Sequence, residues 1–261
     1  MAAGDPARAP ELFAAWMSTH IANDKKFGRK VYRYHPRSDE HSRKLCSLAL
    51  NDLKEASRLL MEHLRSGKVV AGINEPYLFA NGKKKTLDLA VGTPLRADPS
   101  GGMQTAQGQT IGKLLIACEA KQCMTEHLKT KPRLYDELSS AHEIVHQGDT
   151  LIISLGIVVL NIADRFASPL RQTAEDPLHF SKHRQPAVTE SMVNHLRGLQ
   201  IREQPGEVGF DAFATIIIDC DNVGTCRLHT QPPAPQVGDV DHYGTFLARL
   251  SAAYATRFAG L

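Results

Sequence analysis

Apolar residues keep a helical period over residues 42–65, where Leu45, Leu48, Ala49, Leu53, Ala56, Leu60 and Leu64 share one face. That spacing predicts a single amphipathic helix, closed by Ser66-Gly67. A shorter helix is expected over 10–21, with Leu12, Phe13, Trp16 and Met17 on one side. After Lys68 the pattern changes to that of strands. Residues 68–80 and 84–91 read as a hairpin across the turn dipeptide Asn81-Gly82. A Gly-, Pro- and Gln-containing loop then fills 93–111, a length that is usually functional or mobile. Residues 112–121 read as a third strand, whose run Leu114-Leu115-Ile116-Ala117 implies burial on both faces. A second core helix is expected over 132–146, with Leu134, Leu138, Ala141 and Val145 inward, and a fourth strand over 151–160.

The order is helix, strand, strand, strand, helix, strand. Further on, a helix over 188–199, a strand over 210–219 and a helix over 240–258 are expected, with Gln231-Pro232-Pro233-Ala234-Pro235 as a stiff linker. The fold class is therefore α/β, a mixed central sheet flanked by helices with a C-terminal extension. Residues 1–41 form an N-terminal helix and basic arm, 42–165 the core, and 166–261 the extension of the same domain.

Composition changes this picture little. The chain of 261 residues is 42% hydrophobic and 23% charged, with a formal charge of +3, which permits nucleic-acid binding without demanding it. The N-terminus lacks the apolar stretch of a secretory signal. The longest apolar run, 151–162, is too short to span a bilayer. Five cysteines, an odd number, do not suggest a disulfide framework, so a reducing cytoplasm is the expected setting and no membrane the expected partner.

Candidate chemistry sits on the middle strands. Asp88 lies in Leu87-Asp88-Leu89-Ala90-Val91, and Glu119 and Lys121 end the third strand in Cys118-Glu119-Ala120-Lys121. Residues two apart on a strand share a face, so Glu119 and Lys121 emerge together, and neighbouring strands can bring Asp88 beside them. Two carboxylates and an ammonium make a poor core but a reasonable seat for Mg²⁺, with the Ala120 carbonyl as a further oxygen ligand. Mg²⁺ there would polarise a phosphate and acidify a water, and Lys121 would stabilise developing charge. Two other acid-x-Lys triplets, Asp24-Lys25-Lys26 and Asp52-Leu53-Lys54, fall in a basic loop and inside a helix, where positions two apart do not face each other.

In these features the chain resembles the PD-(D/E)XK nuclease superfamily over residues 42–162. Its Glu-Ala-Lys is the Glu-x-Lys form shared by type II restriction endonucleases, although Leu87 stands where a Pro commonly precedes the motif Asp. The resemblance implies a Mg²⁺-dependent endonuclease acting on double-stranded DNA, as a homodimer able to cut both strands of a palindrome. A repair or anti-phage nuclease and a catalytically inactive DNA-binding protein are the other readings. Some members add a Glu from the first core helix, a place for Glu55 or Glu62, and a polar residue after the motif, here Gln122.

The basic residues supply DNA-contact candidates. Arg33 and Arg37 lie in the aromatic-cationic stretch Tyr32-Arg33-Tyr34-His35-Pro36-Arg37, a mixture suited to base edges and stacking. Lys129, Lys131 and Arg133 are expected to open the second core helix, where backbone N–H groups favour a phosphate. Lys83, Lys84 and Lys85 could follow a DNA backbone or simply keep a hairpin end soluble. His35 and His41, the pair Cys118 and Cys123, and the pair Cys220 and Cys226 show no zinc-site spacing, and Cys118 reads as a small core residue.

Overall fold

The computed structural model describes residues 8–22, 27–96 and 105–261. Lys25 and Lys26 and the centre of the 93–111 loop lie outside the described residues. The elements run α1 (Ala9–Thr19), α2 (Glu40–Ala56), α3 (Arg58–Arg65), β1 (Val70–Leu78), β2 (Lys84–Pro94), β3 (Ile111–Cys123), α4 (His127–Gly148), β4 (Ile153–Asn161), β5 (Arg165–Ala167), β6 (Phe180–Lys182), α5 (Ala187–Leu196), β7 (Ala212–Asp219), β8 (Arg227–Leu228) and α6 (Tyr243–Phe258). The main sheet has the order β1-β2-β3-β4-β7-β8. β1, β2 and β3 are antiparallel neighbours, whereas β3-β4 and β4-β7 are parallel. The class is thus α/β with a mixed sheet, as the alternation of periods implies.

Helices cover both faces. Leu45, Cys46, Ala49 and Leu53 of α2 join Phe13 of α1 and Phe246, Leu250 and Tyr254 of α6 against Leu89, Val91, Ile116 and Cys118. On the other face Leu134 and Leu138 of α4 and Met192 and Val193 of α5 pack on Val158, Leu160 and Phe213. β4 is buried along its whole length, the expected fate of a central strand in a doubly covered sheet.

Four expectations need correction. The 42–65 helix is two helices, because Ser57 leaves helical geometry and its hydroxyl accepts the Leu60 N–H, capping α3. α4 starts at His127, not at Pro132: the helix runs through the proline, which in its second turn has no N–H to donate to the Leu128 carbonyl. The small sheet β5-β6 and strand β8 are too short to leave a period in the sequence. Finally, Cys220 and Cys226 form a disulfide. The Asp221 carboxylate accepts the N–H groups of Val223 and Gly224, and the tight turn brings the two Cα atoms to 4.3 Å. Cys46, Cys118 and Cys123 are free and buried. No described helix is long and apolar enough to cross a membrane.

Candidate functional site

The hairpin around Asn81-Gly82 starts β2 in register. Phe79 exchanges backbone bonds with Lys83 and Gly82, and Gly82 takes a φ of 79°, which a side chain would resist. The ladder is interrupted at Asp88. Ile73 pairs with Leu89 and Glu75 with Leu87, but Asn74 between them adopts a left-handed backbone (φ 53°) and drops out. Across this point the alternation of β2 slips. Leu87 packs with Ala90 in the cluster that includes Val145 of α4, while Leu89 packs on the α2 side. In a regular strand residues three apart, such as Leu87 and Ala90, would point opposite ways.

Asp88 stands at that slip. The β2-β3 pairing ends at Leu89-Cys118; one step further, its register would put Asp88 opposite Glu119. Instead of a ladder bond, the Asp88 carboxylate accepts the Ala120 N–H at 2.8 Å. In an extended strand a residue's N–H and C=O project to the same edge, so the Ala120 carbonyl also opens toward Asp88. Asp88, Glu119 and Ala120 therefore gather where two strands part, and main-chain groups there are released from the ladder.

Glu119 is held between two ammonium groups. Lys121 Nζ lies 2.8 Å from one carboxylate oxygen, and Lys85 Nζ 2.8 Å from the other. Lys121 also approaches Glu137 of α4 at 3.7 Å, and Glu137 pairs with Arg133 at 3.3 Å. Lys85, Glu119, Lys121, Arg133, Asp136 and Glu137 are among the residues lining an open pocket of about 380 Å³ between β3 and α4.

The electrostatics of the two carboxylates diverge. Burial first, and the Glu119 charge second, push Asp88 up to about 6. Burial would raise Glu119 too, but Lys85 and Lys121 outweigh it and hold that carboxyl below its ordinary value. Burial works against the charge on Lys121, yet the attraction of Glu119 and Glu137 wins and keeps the ammonium protonated. Among the described residues no three His, Cys, Asp or Glu converge as a metal cage. The site offers two carboxylates and a main-chain carbonyl. That set suits Mg²⁺, which binds through one or two carboxylates and keeps its remaining places for water and phosphate.

Other candidates fall elsewhere. Glu55 is exposed and lies 3.7 Å from Arg8. The N-terminal end of α2 is the end near Asp88, because Asp39 accepts from Asn74. Glu55 is thus roughly 20 Å further along the helix, at 1.5 Å per residue, and is no accessory ligand. Glu62 of α3 pairs with Arg58 at 2.8 Å. Gln122 is half-buried on β3 directly after Lys121, with its Nε2 unpartnered among the described residues.

The arm is a packed segment. Tyr32, Tyr34 and His35 are buried, and the Arg33 guanidinium donates to the carbonyls of Gly224 and His20. Its buried aromatics are not free to stack on bases and Arg33 is engaged within the fold, which leaves Arg37 as the exposed cation of the 32–37 stretch. Lys131 and Arg133 lie beyond the first turn of α4. Lys131 donates to Ser191 of α5, and Lys129 approaches Glu126. Only Arg133 of the three reaches the pocket.

The sequence does not single out Glu137, and it presents Lys85 as a DNA-backbone contact or a solubilising charge and not as a partner of Glu119. Lys85 is three before Asp88, the wrong parity for a shared face in a regular strand, and nothing in the composition announces the slip. Glu137 could have been found from helical spacing, since it is one turn after Arg133. Comparison with models of protein families and with curated proteins finds no match.

Proposed function

We propose that this chain is a divalent-metal-dependent endonuclease that hydrolyses phosphodiester bonds of double-stranded DNA. The observation that carries the reading is the meeting of Asp88, the Ala120 main chain, Glu119 and Lys121 where β2 and β3 separate. Mg²⁺, when bound, would supply Lewis-acid activation of the phosphate and of a water. Asp88 and Glu119 would hold it, with the Ala120 carbonyl completing the protein's share. Lys121, kept protonated by Glu119 and Glu137, supplies a fixed positive charge where negative charge grows on the reacting phosphate. Arg133 at the pocket rim is placed to fix the flanking backbone. Gln122, next along β3, supplies a polar group beside the motif.

Within this class the Glu-Ala-Lys form favours a type II restriction endonuclease acting as a homodimer. The test is digestion of supercoiled plasmid with Mg²⁺, with EDTA, and with a Glu119→Gln variant. Mg²⁺-dependent cutting that Glu119→Gln abolishes supports the proposal, and discrete bands identify site-specific action. A smear points to a repair or anti-phage nuclease, and binding without cutting to an inactive DNA-binding protein. Full cutting in EDTA, or by Glu119→Gln, refutes the assignment.

A further inference from the structure

We propose that Lys85 is a tethered counter-cation, seated on the Glu119 oxygen that a divalent ion must take and lowering the metal affinity of the free protein. The inference rests on the nuclease reading above, and adds a residue whose role the Glu-x-Lys pattern does not contain.

Lys85 comes from β2, and the slip at Asp88 turns it onto the pocket side. Its Nζ sits 2.8 Å from Glu119 Oε2, as close as Lys121 comes to Oε1. Both oxygens of the candidate ligand are therefore covered by ammonium groups. The two lysines differ in what they can fall back on. Lys121 lies 3.7 Å from the Glu137 carboxylate as well as on Glu119, so it can give up part of its hold and stay paired. Lys85 has one ion pair, with Glu119, and beyond it only a weaker attraction to Asp88; it stands near the start of β2 and lines the pocket. A lysine is a compact charge on a flexible stem, so it can swing aside into the open pocket.

A divalent ion reaching Glu119 must break the Lys85 pair and then bear the repulsion of an ammonium a few ångströms away. Unit charges at about 4 Å interact strongly even at the dielectric of a protein surface. The competition leaves Glu119 ionised and in place without metal, because Lys85 neutralises it. A buried carboxylate with no counter-charge would be costly.

The experiment measures binding of Mn²⁺ alone, without DNA, by electron paramagnetic resonance, beside thermal melts. Lys85→Met keeps the aliphatic stem and removes the charge, and should tighten Mn²⁺ binding roughly tenfold, given one fewer unit charge beside the ion. Lys85→Arg keeps the competitor and should bind no more tightly than wild type. Unchanged or weaker Mn²⁺ binding by a folded Lys85→Met overturns the role of Lys85. Glu119→Gln locates the ion: if it binds Mn²⁺ as the wild type does, the metal is elsewhere and the nuclease reading falls too. If Glu119→Gln loses Mn²⁺ and Lys85→Met does not gain it, only the Lys85 inference fails.

Discussion

Two clusters of carboxylates and cations sit two strands apart in the same sheet, and they are built in opposite ways. Around Asp211, just before β7, Arg202 donates through Nε at 3.0 Å and through a terminal nitrogen at 2.9 Å. Arg257 pairs with the same carboxylate, which also accepts the Ser154 N–H at 2.7 Å. Arg202 reaches on to the Ile152 carbonyl at 2.6 Å, and Arg249 donates to the Asp211 carbonyl. Both carboxylate oxygens of Asp211 have their donors, the side chains of Arg202 and Asp211 are 0% and 2% exposed, and the side-chain donors are planar guanidiniums. Around Glu119 the partners are ammoniums on flexible stems, 20% and 31% exposed. A dry cluster in which both Asp211 carboxylate oxygens are paired, although Arg202 Nη1 has no partner among the described residues, clamps the entry of β4 to that of β7. A half-wet one, with exchangeable partners and a neighbouring carboxylate pushed toward protonation, has unfinished electrostatics that a metal or a phosphate can complete.

The sharpest way to break this contrast is to remove a member of the clamp. Arg202→Met leaves Asp211 buried with fewer donors, and such losses cost about 3–5 kcal/mol. For a chain of this size the melting temperature should fall on the order of 10 °C. Thermal melts with metal absent measure it. A fall of no more than a degree or two would show that Asp211 is no more committed than Glu119, and the contrast would dissolve.

The same contrast explains what was legible beforehand. The Asp88 strand and the Glu-Ala-Lys ending of β3 stand out because charges there interrupt an apolar alternation whose period is otherwise clear. Arg202 and Asp211 were not legible: they lie in a polar stretch, nine residues apart, and become partners because the backbone of Arg202 and Gln200 bonds that of Phe210, a bridge too short to leave a period. The order of elements along the chain and the α/β class follow from periods that survive burial. The break at Ser57, the entry of α4 and the Cys220-Cys226 pairing depend on single caps, turns and tolerated losses. Lys85 was hidden by a local defect, since the left-handed Asn74 resets which side chains of β2 share a face. Arg33 misled for the opposite reason. A cation between aromatics looks like a contact surface until the aromatics are seen to be core.

At the open cluster, loss of one charge should leave the fold and remove the chemistry. Lys121→Ala breaks ion pairs that are partly exposed, and such pairs contribute about 0–1 kcal/mol to stability. If Lys121 faces charge that develops on the phosphate, single-turnover cleavage should slow by about 10²–10³-fold, the usual loss for one preorganised donor. DNA binding in Ca²⁺ should change little, because the interaction matures in the transition state. Cleavage at the wild-type rate by a normally melting Lys121→Ala would place the lysine outside the chemistry. A large fall in melting temperature would instead make this cluster structural, like the clamp.

The smallest effect tests the unfinished electrostatics directly. Asp88 sits at about 6 against an ordinary 3.8, raised by burial and then by Glu119. A carboxyl whose folded pKa lies above its unfolded value favours folding when protonated. Its contribution is present in full below about pH 4 and is lost as pH rises through about 6. Above that, the folded protein carries an ionised Asp88 at a cost. Asp88→Asn keeps an oxygen to accept the Ala120 N–H and removes the charge. At pH 8 it should therefore stabilise the metal-free protein by about 1 kcal/mol, or about 2–4 °C in melting temperature, and the gain should vanish at pH 4. Mg²⁺ works in the other direction. It should raise the wild-type melting temperature at pH 8 by binding the folded state, and raise that of Asp88→Asn far less. A variant that melts at or below the wild-type temperature at pH 8 would mean that Asp88 is as fully satisfied as Asp211. The distinction between a closed cluster and one awaiting a cation would then rest on Glu119 alone.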